Sequence, residues 1–173
     1  MAAMDLVVTP VGLDHRGVAR WGERRFRCAL GRGGVAHRKR EGDGATPVGA
    51  WAMRELLFRP DRVLRPRTAL PSRPIELQDG WCDAPADARY NRPVPLPYPS
   101  SAERLWRDDR VYDLVVPLGY NDAPPRPGLG SAIFLHLARP GWRPTEGCVA
   151  LARRDLLAVL ATADRRSRVI VRP

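Results

Sequence analysis

The stretch Ser131-Ala-Ile-Phe-Leu-His-Leu-Ala-Arg-Pro-Gly-Trp-Arg-Pro-Thr-Glu-Gly-Cys-Val-Ala-Leu151 governs how the whole chain is read. It opens as an apolar strand, breaks at a loop punctuated by Pro140, Gly141 and Pro144, and re-enters apolar sequence through Gly147-Cys148. Ile133, Leu135 and Leu137 alternate to one face of the strand, which leaves Phe134 and His136 on the other. The first set is fully apolar and is expected to face the main core. His136 then looks into a cleft or towards solvent, beside an aromatic. The eleven residues between His136 and Cys148 are enough to reverse the chain and bring the cysteine back beside the histidine strand. A thiol near an imidazole can be drawn off as thiolate, the nucleophile of acyl transfer. Gly147 lets the backbone approach a substrate closely, and the amides around Gly147 and Cys148 are candidates for an oxyanion hole. Spacing alone leaves a second reading open, a buried thiol with an incidental histidine.

Working outward, the 173 residues form a chain expected to make one domain, 1–173, with a real core. Eighteen prolines argue against long helices and for strands, turns and ordered loops. Leu6-Val7-Val8 reads as a first strand ended by Pro10. Val18–Trp21 and Arg25–Leu30 read as a hairpin around Gly22-Glu23, with Phe26, Cys28 and Leu30 on the inner face and Cys28 a core thiol. Gly31 to Gly49 is a basic, glycine-rich loop without the spacing of a phosphate-binding motif. Trp51 to Phe58 reads as a strand, and residues 59 to 110 as a proline-rich ordered excursion across one face. Val111 to Val116, Ser131 to Leu137 and Arg168 to Val171 complete the strands. Leu156, Leu157 and Leu160 mark one short amphipathic helix near Arg153 to Ala163.

A net charge of +10 rests almost wholly on arginine, since Lys39 is the only lysine. Such a surface favours polyanions, yet no dense basic run with interleaved aromatics appears, so nucleic acid is not the favoured partner. Cys28, Cys82 and Cys148 are far apart and form no Cys-x-x-Cys pair, so no metal site is expected. No apolar run reaches the length of a membrane span. The start, Met1 to Pro10, lacks the basic and apolar regions of a secretory signal, so the chain reads as cytoplasmic or as a mature form.

His136, followed by Thr145-Glu146-Gly147-Cys148, closely resembles the active-site signature of the YkuD-type L,D-transpeptidases, in which a histidine precedes Ser/Thr-x-Gly-Cys. Glu41-Gly-Asp-Gly-Ala-Thr-Pro-Val-Gly49 resembles the Thr-Pro loop of the same domain. Asp79–Asp83, Tyr90-Asn91-Arg92, Leu105–Asp109 and Leu118–Asp122 resemble its compact branch. The resemblance implies a mainly β, β-sandwich-like domain with one or two short helices, needing no cofactor. It implies a cysteine acyltransferase on peptidoglycan stem peptides, located in the periplasm or cell wall. Cys148 would attack the third residue of a tetrapeptide stem, D-alanine would leave, and the thioester would pass to an amine. His136 would move the proton, and Gly147 and Cys148 would hold the oxyanion.

Thr145, Glu146, Tyr90, Asn91, Tyr120 and Asn121 are the expected substrate contacts, with Asp122 a further cleft residue; Arg139 and Arg143 are candidates for stem-peptide carboxylates. Glu146 stands where the family usually has a second histidine, and Ala150 where an Arg or Asn is frequent. Two other outcomes stay open at this point. A hydrolase on the same scaffold, an L,D-carboxypeptidase or crosslink-cleaving enzyme, differs only in the acceptor. A non-catalytic basic module would bind wall polymer or nucleic acid through arginine.

Overall fold

A computed structural model describes residues 4–173 of the chain. In the first half the strands are β1 (Leu6–Pro10), β2 (Arg16–Trp21), β3 (Arg24–Ala29), β4 (Val35–Ala36), β5 (Thr46–Pro47), β6 (Gly49–Ala52), β7 (Leu56–Phe58) and β8 (Ser72–Pro74). In the second half they are β9 (Asp79–Cys82), β10 (Pro93–Pro95), β11 (Ala102–Arg104), β12 (Leu114–Pro117), β13 (Phe134–Leu137), β14 (Val149–Leu151) and β15 (Arg168–Val171). A single turn of 3-10 helix covers Pro140–Trp142, and one α-helix, α1, covers Arg153–Leu160. The fold is mainly β, as the pattern of short alternating segments predicts.

Ten strands join in one sheet, in the order β6-β15-β1-β2-β3-β14-β13-β12-β7-β8. Strand twist curls a sheet of this width. Beyond β6, Met53 bridges Leu118, the Arg54 amide donates to Pro117 O at 3.0 Å and the Gly119 amide to Ala52 O at 2.8 Å. The β6 edge is thereby tied to the end of β12. This closure splits the Trp51–Phe58 segment in two. Its first half pairs with β15, and its second half leaves to pair with β12 and β8.

The two faces of the central strands bury against different material. Ile133, Leu135 and Leu137 join Leu114, Val116, Leu151 and the Leu156, Val159 and Leu160 stripe of α1 in the main core. Phe134 and Val115 face the other way, into a second cluster with Leu57, Ile75, Leu105, Tyr112 and Cys148. The excursion of residues 59–110 covers that second face. It carries its own small sheet, β10-β9-β11, whose Trp81 meets Phe134 edge to face at 5.2 Å. Periodicity is faint there because its strands have only three or four residues each.

Val111 to Val116 is not one strand. The Asp113 amide closes a turn onto Arg110 O at 3.1 Å, and β12 begins only at Leu114. Strict alternation would send Tyr112 to the main core with Leu114. The turn sends it to the second cluster instead.

Candidate active site

β13 and β14 lie side by side and parallel, with Leu135 opposite Val149 and His136 opposite Ala150. On the other flank of β13, Val115 of β12 stands opposite His136. Continuing the register back one step puts Cys148 level with Phe134, so Cys148 and His136 share a face as a diagonal pair. Both line one cavity of about 380 Å³, together with Ala150. The small side chain of Ala150 leaves open the place beside His136 that a longer one would fill.

The loop that delivers Cys148 is fixed by hydroxyl groups. Thr145 Oγ1 donates to Cys148 O at 2.7 Å and accepts the Gly147 amide at 3.1 Å. Thr46, from the Thr-Pro loop, accepts the Gly31 amide at 2.9 Å and also reaches Cys148 O, at 3.4 Å. The glycine at 147 is obligatory: its φ is +130°, and a Cβ there would stand 2.8 Å from Ala45 O. Lys39, buried under the same loop, is held by Asp43 at 2.6 Å. The glycine-rich stretch therefore works as a bracket beneath the cysteine.

Cys148 Sγ accepts the Phe134 amide at 3.3 Å and donates to Ala132 O at 3.3 Å. His136 Nδ1 meets Leu137 O at 2.9 Å. A carbonyl only accepts, so Nδ1 carries the proton and Nε2 keeps the free lone pair. Tyr112 packs edge to face on the imidazole at 5.4 Å. Burial dominates the titration of both groups. It pushes Cys148 up to about 12, with the charge of Glu103 adding to the rise, and it pulls His136 down to about 4. At neutral pH the resting pair is thus a neutral thiol and a neutral imidazole. The sequence reading of a thiolate drawn off by its histidine is corrected on this point.

The two amides expected to line an oxyanion hole differ in their partners. The Gly147 amide is committed to Thr145, whereas the Cys148 amide makes no hydrogen bond among the described residues.

Of the expected substrate contacts, Thr145 and Glu146 line the cavity, as do Arg139 and Arg143. Glu146 is exposed and pairs with Arg32 at 2.8 Å. Tyr90, Asn91, Tyr120 and Asn121 are not part of the lining, and their polar atoms are already used inside the loops. Tyr90 donates to Glu41 at 2.5 Å and accepts the Gly130 amide at 3.0 Å. Asn91 accepts Trp81 Nε1 and the Ala132 amide and donates to Tyr120 O and Asn121 O. Tyr120 donates to Leu129 O, and Asn121 clamps Arg126 and Gly130. Asp122 is spent in an ion pair with Arg54. Cys28 and Cys82 are buried elsewhere in the fold.

The cavity also takes in Glu41, Asp83, Glu103, Arg107 and Tyr112, none of which the sequence reading placed in the site. All but Glu41 come from the aperiodic excursion or the turn that ends it, where no local pattern signals which way a side chain points.

The chain matches the L,D-transpeptidase catalytic domain family, YkuD, over residues 15–171. It belongs to that family. No curated protein and no solved structure matches it. The L,D-transpeptidase catalytic domain is an enzyme domain of peptidoglycan, with a cell-wall-associated role. No helix among the described residues is long and apolar enough to cross a membrane.

Proposed function

We propose that this chain is one catalytic domain, a cysteine acyltransferase on peptidoglycan stem peptides, with Cys148 as nucleophile and His136 as base. The observation that carries the reading is the shared cavity. A sulfur and an imidazole with its Nε2 lone pair free stand on one face of two adjacent parallel strands, in a cavity sized for a peptide end.

Because both groups rest neutral, the thiol is deprotonated as it attacks and not before. Cys148 Sγ adds to the stem-peptide carbonyl while its proton moves to His136. The Cys148 amide, free of other partners, receives the developing oxyanion. Collapse of the adduct expels D-alanine, whose nitrogen takes the proton back from His136. The thioester then passes to an amine. Lys39 and the Phe134 amide favour negative charge on sulfur and oppose the effect of burial. Arg139 and Arg143, on the loop that follows β13, are placed to meet substrate carboxylates. The work belongs in the periplasm or cell wall, where such substrates are found.

The test is D-alanine release from a tetrapeptide stem by the purified chain. Cys148→Ala is expected to abolish it, and His136→Ala to slow it by about 10²–10⁴-fold. Full release by Cys148→Ala would refute the reading.

A further inference from the structure

Glu103 and Asp83 stand on the small sheet that closes over the cavity. The register of β11 against β9 sets Glu103 opposite Trp81 and Ala102 opposite Cys82. Asp83 continues β9 by one residue, its amide reaching Ser101 O at 3.2 Å, so Asp83, Trp81 and Glu103 share the face that packs on Phe134. Both carboxyl groups line the cavity that holds Cys148 and His136.

These carboxylates are poorly satisfied by the protein. Glu103 Oε1 accepts the Tyr112 hydroxyl, while its Oε2 makes no hydrogen bond among the described residues. The nearest arginine, Arg107, is 3.8 Å away and is committed instead to Asp109, at 2.6 Å and 2.8 Å. Asp83 has an oxygen that is fully buried and unpaired among the described residues. Burial raises the Glu103 carboxyl above its ordinary range, and the nearby charge of Asp83 adds to this despite the arginines. A buried acceptor without a donor is costly, which is the case of Asp83, while Glu103 keeps a side chain 27% exposed with Oε2 unpaired among the described residues, so this wall favours a cationic donor from outside. Among the described residues no third His, Cys, Asp or Glu joins them in a metal-holding group. Two carboxylates beside an aromatic edge match a primary ammonium, which brings three N–H donors.

We propose that Glu103, with Asp83 beside it, holds the ammonium of the acceptor amine next to the Cys148 thioester and takes one of its protons. This rests on the reading of Cys148 as nucleophile and makes the domain a transferase in preference to a hydrolase. The ammonium gives a proton to Glu103 and becomes a neutral amine. Its nitrogen forms the new C–N bond at the thioester carbon, the C–S bond breaks, and sulfur leaves as thiolate. The second nitrogen proton passes through His136 Nε2 to the sulfur, restoring the thiol. Water offers no positive charge for these carboxylates to hold.

The experiment gives the full chain a tetrapeptide stem as donor and a lysine-containing tripeptide, blocked at its α-amine, as acceptor. Mass spectrometry of the products reads the ratio of aminolysis to hydrolysis from one acyl-enzyme, so the ratio does not depend on how fast that species forms. Glu103→Gln is expected to lower the ratio by about ten- to a hundredfold, the scale of a lost hydrogen bond to a charged group. Glu103→Asp is expected to restore part of it. Asp83→Asn is expected to lower it by a smaller factor, and it serves alone if Glu103→Gln fails to fold. An unchanged ratio in whichever of these two neutral variants folds overturns the proposal while leaving the nucleophile standing. Absence of any acyl-enzyme on the wild-type chain instead removes the reading beneath it.

Discussion

The backbone amide of Phe134 points at the sulfur of Cys148 from 3.3 Å, across two parallel strands. The contact parks the thiol at a fixed height in the cavity and offers a donor to the thiolate that the proposed attack would form. It does not ionise the thiol in advance, since burial outweighs it. In the proposed mechanism Cys148 and His136 work as a pair from the neutral form.

The pH dependence of kcat/KM is the first consequence. In the proposed mechanism a neutral thiol and a free Nε2 are the active species, and His136 takes a proton only near pH 4. Activity on a stem peptide is therefore expected to stay level through pH 6.5, the ordinary histidine value, and to fall as pH drops towards 4. A steep loss centred at the ordinary value would show that the imidazole is solvated.

The same shifts set stability. His136 is neutral in the folded state down to about 4, while the unfolded chain takes up its proton near 6.5. The unfolded state thus binds more protons between those values, and stability falls as pH falls through that window, by up to about 3 kcal/mol for this group. Cys28 and Cys148 act in the opposite direction. Their folded values of about 12 exceed the ordinary 9.0, so stability is expected to fall as pH rises above 9. Urea denaturation at pH 4.5, 7 and 10 measures both limbs.

Gly147→Ala is expected to be severe. It sets a Cβ 2.8 Å from a backbone oxygen at a φ of +130°. Strain of about 1–3 kcal/mol plus the clash shifts the urea midpoint down, and D-alanine release is lost with it.

Thr145 separates geometry from packing. Thr145→Val keeps the shape but leaves the buried Gly147 amide and Cys148 carbonyl without their shared hydroxyl, a cost of about 1–3 kcal/mol. Thr145→Ser keeps the hydroxyl and is expected to stay near wild type. Thermal unfolding of the two variants makes the comparison.

Asn91 tests whether the loop residues hold the site's geometry or touch substrate. It ties Trp81, Ala132, Tyr120 and Asn121 together, and Ala132 O in turn receives the Cys148 thiol. Asn91→Ala is expected to cost about 2–4 kcal/mol and to lower kcat through a loosened thiol. A change confined to KM at unchanged stability would mean that Asn91 touches substrate.

The strands that build the main core were legible because each is a run of alternating or wholly apolar residues. The faces of Ile133, Leu135 and Leu137 against Phe134 and His136 followed from period two alone. Cys148, Gly147 and His136 were legible from residue type and from the resemblance of their spacing to a known signature. Glu103, Asp83 and Tyr112 were not. Their directions depend on three-residue strands, a turn at Asp113 and pairing between segments about twenty residues apart, none of which leaves a local period. Tyr90, Asn91, Tyr120 and Asn121 looked like cleft residues because polar loop side chains serve recognition and loop geometry equally well. The structure spends them on geometry.

The most direct test is the intact mass of the protein after incubation with a tetrapeptide stem. The wild-type chain is expected to gain the mass of the stem less D-alanine, with the label mapping to Cys148, and Cys148→Ala to gain nothing. A folded wild-type chain that gains no mass, or a Cys148→Ala variant that still gains it, would contradict the assignment of Cys148 as the acyl carrier.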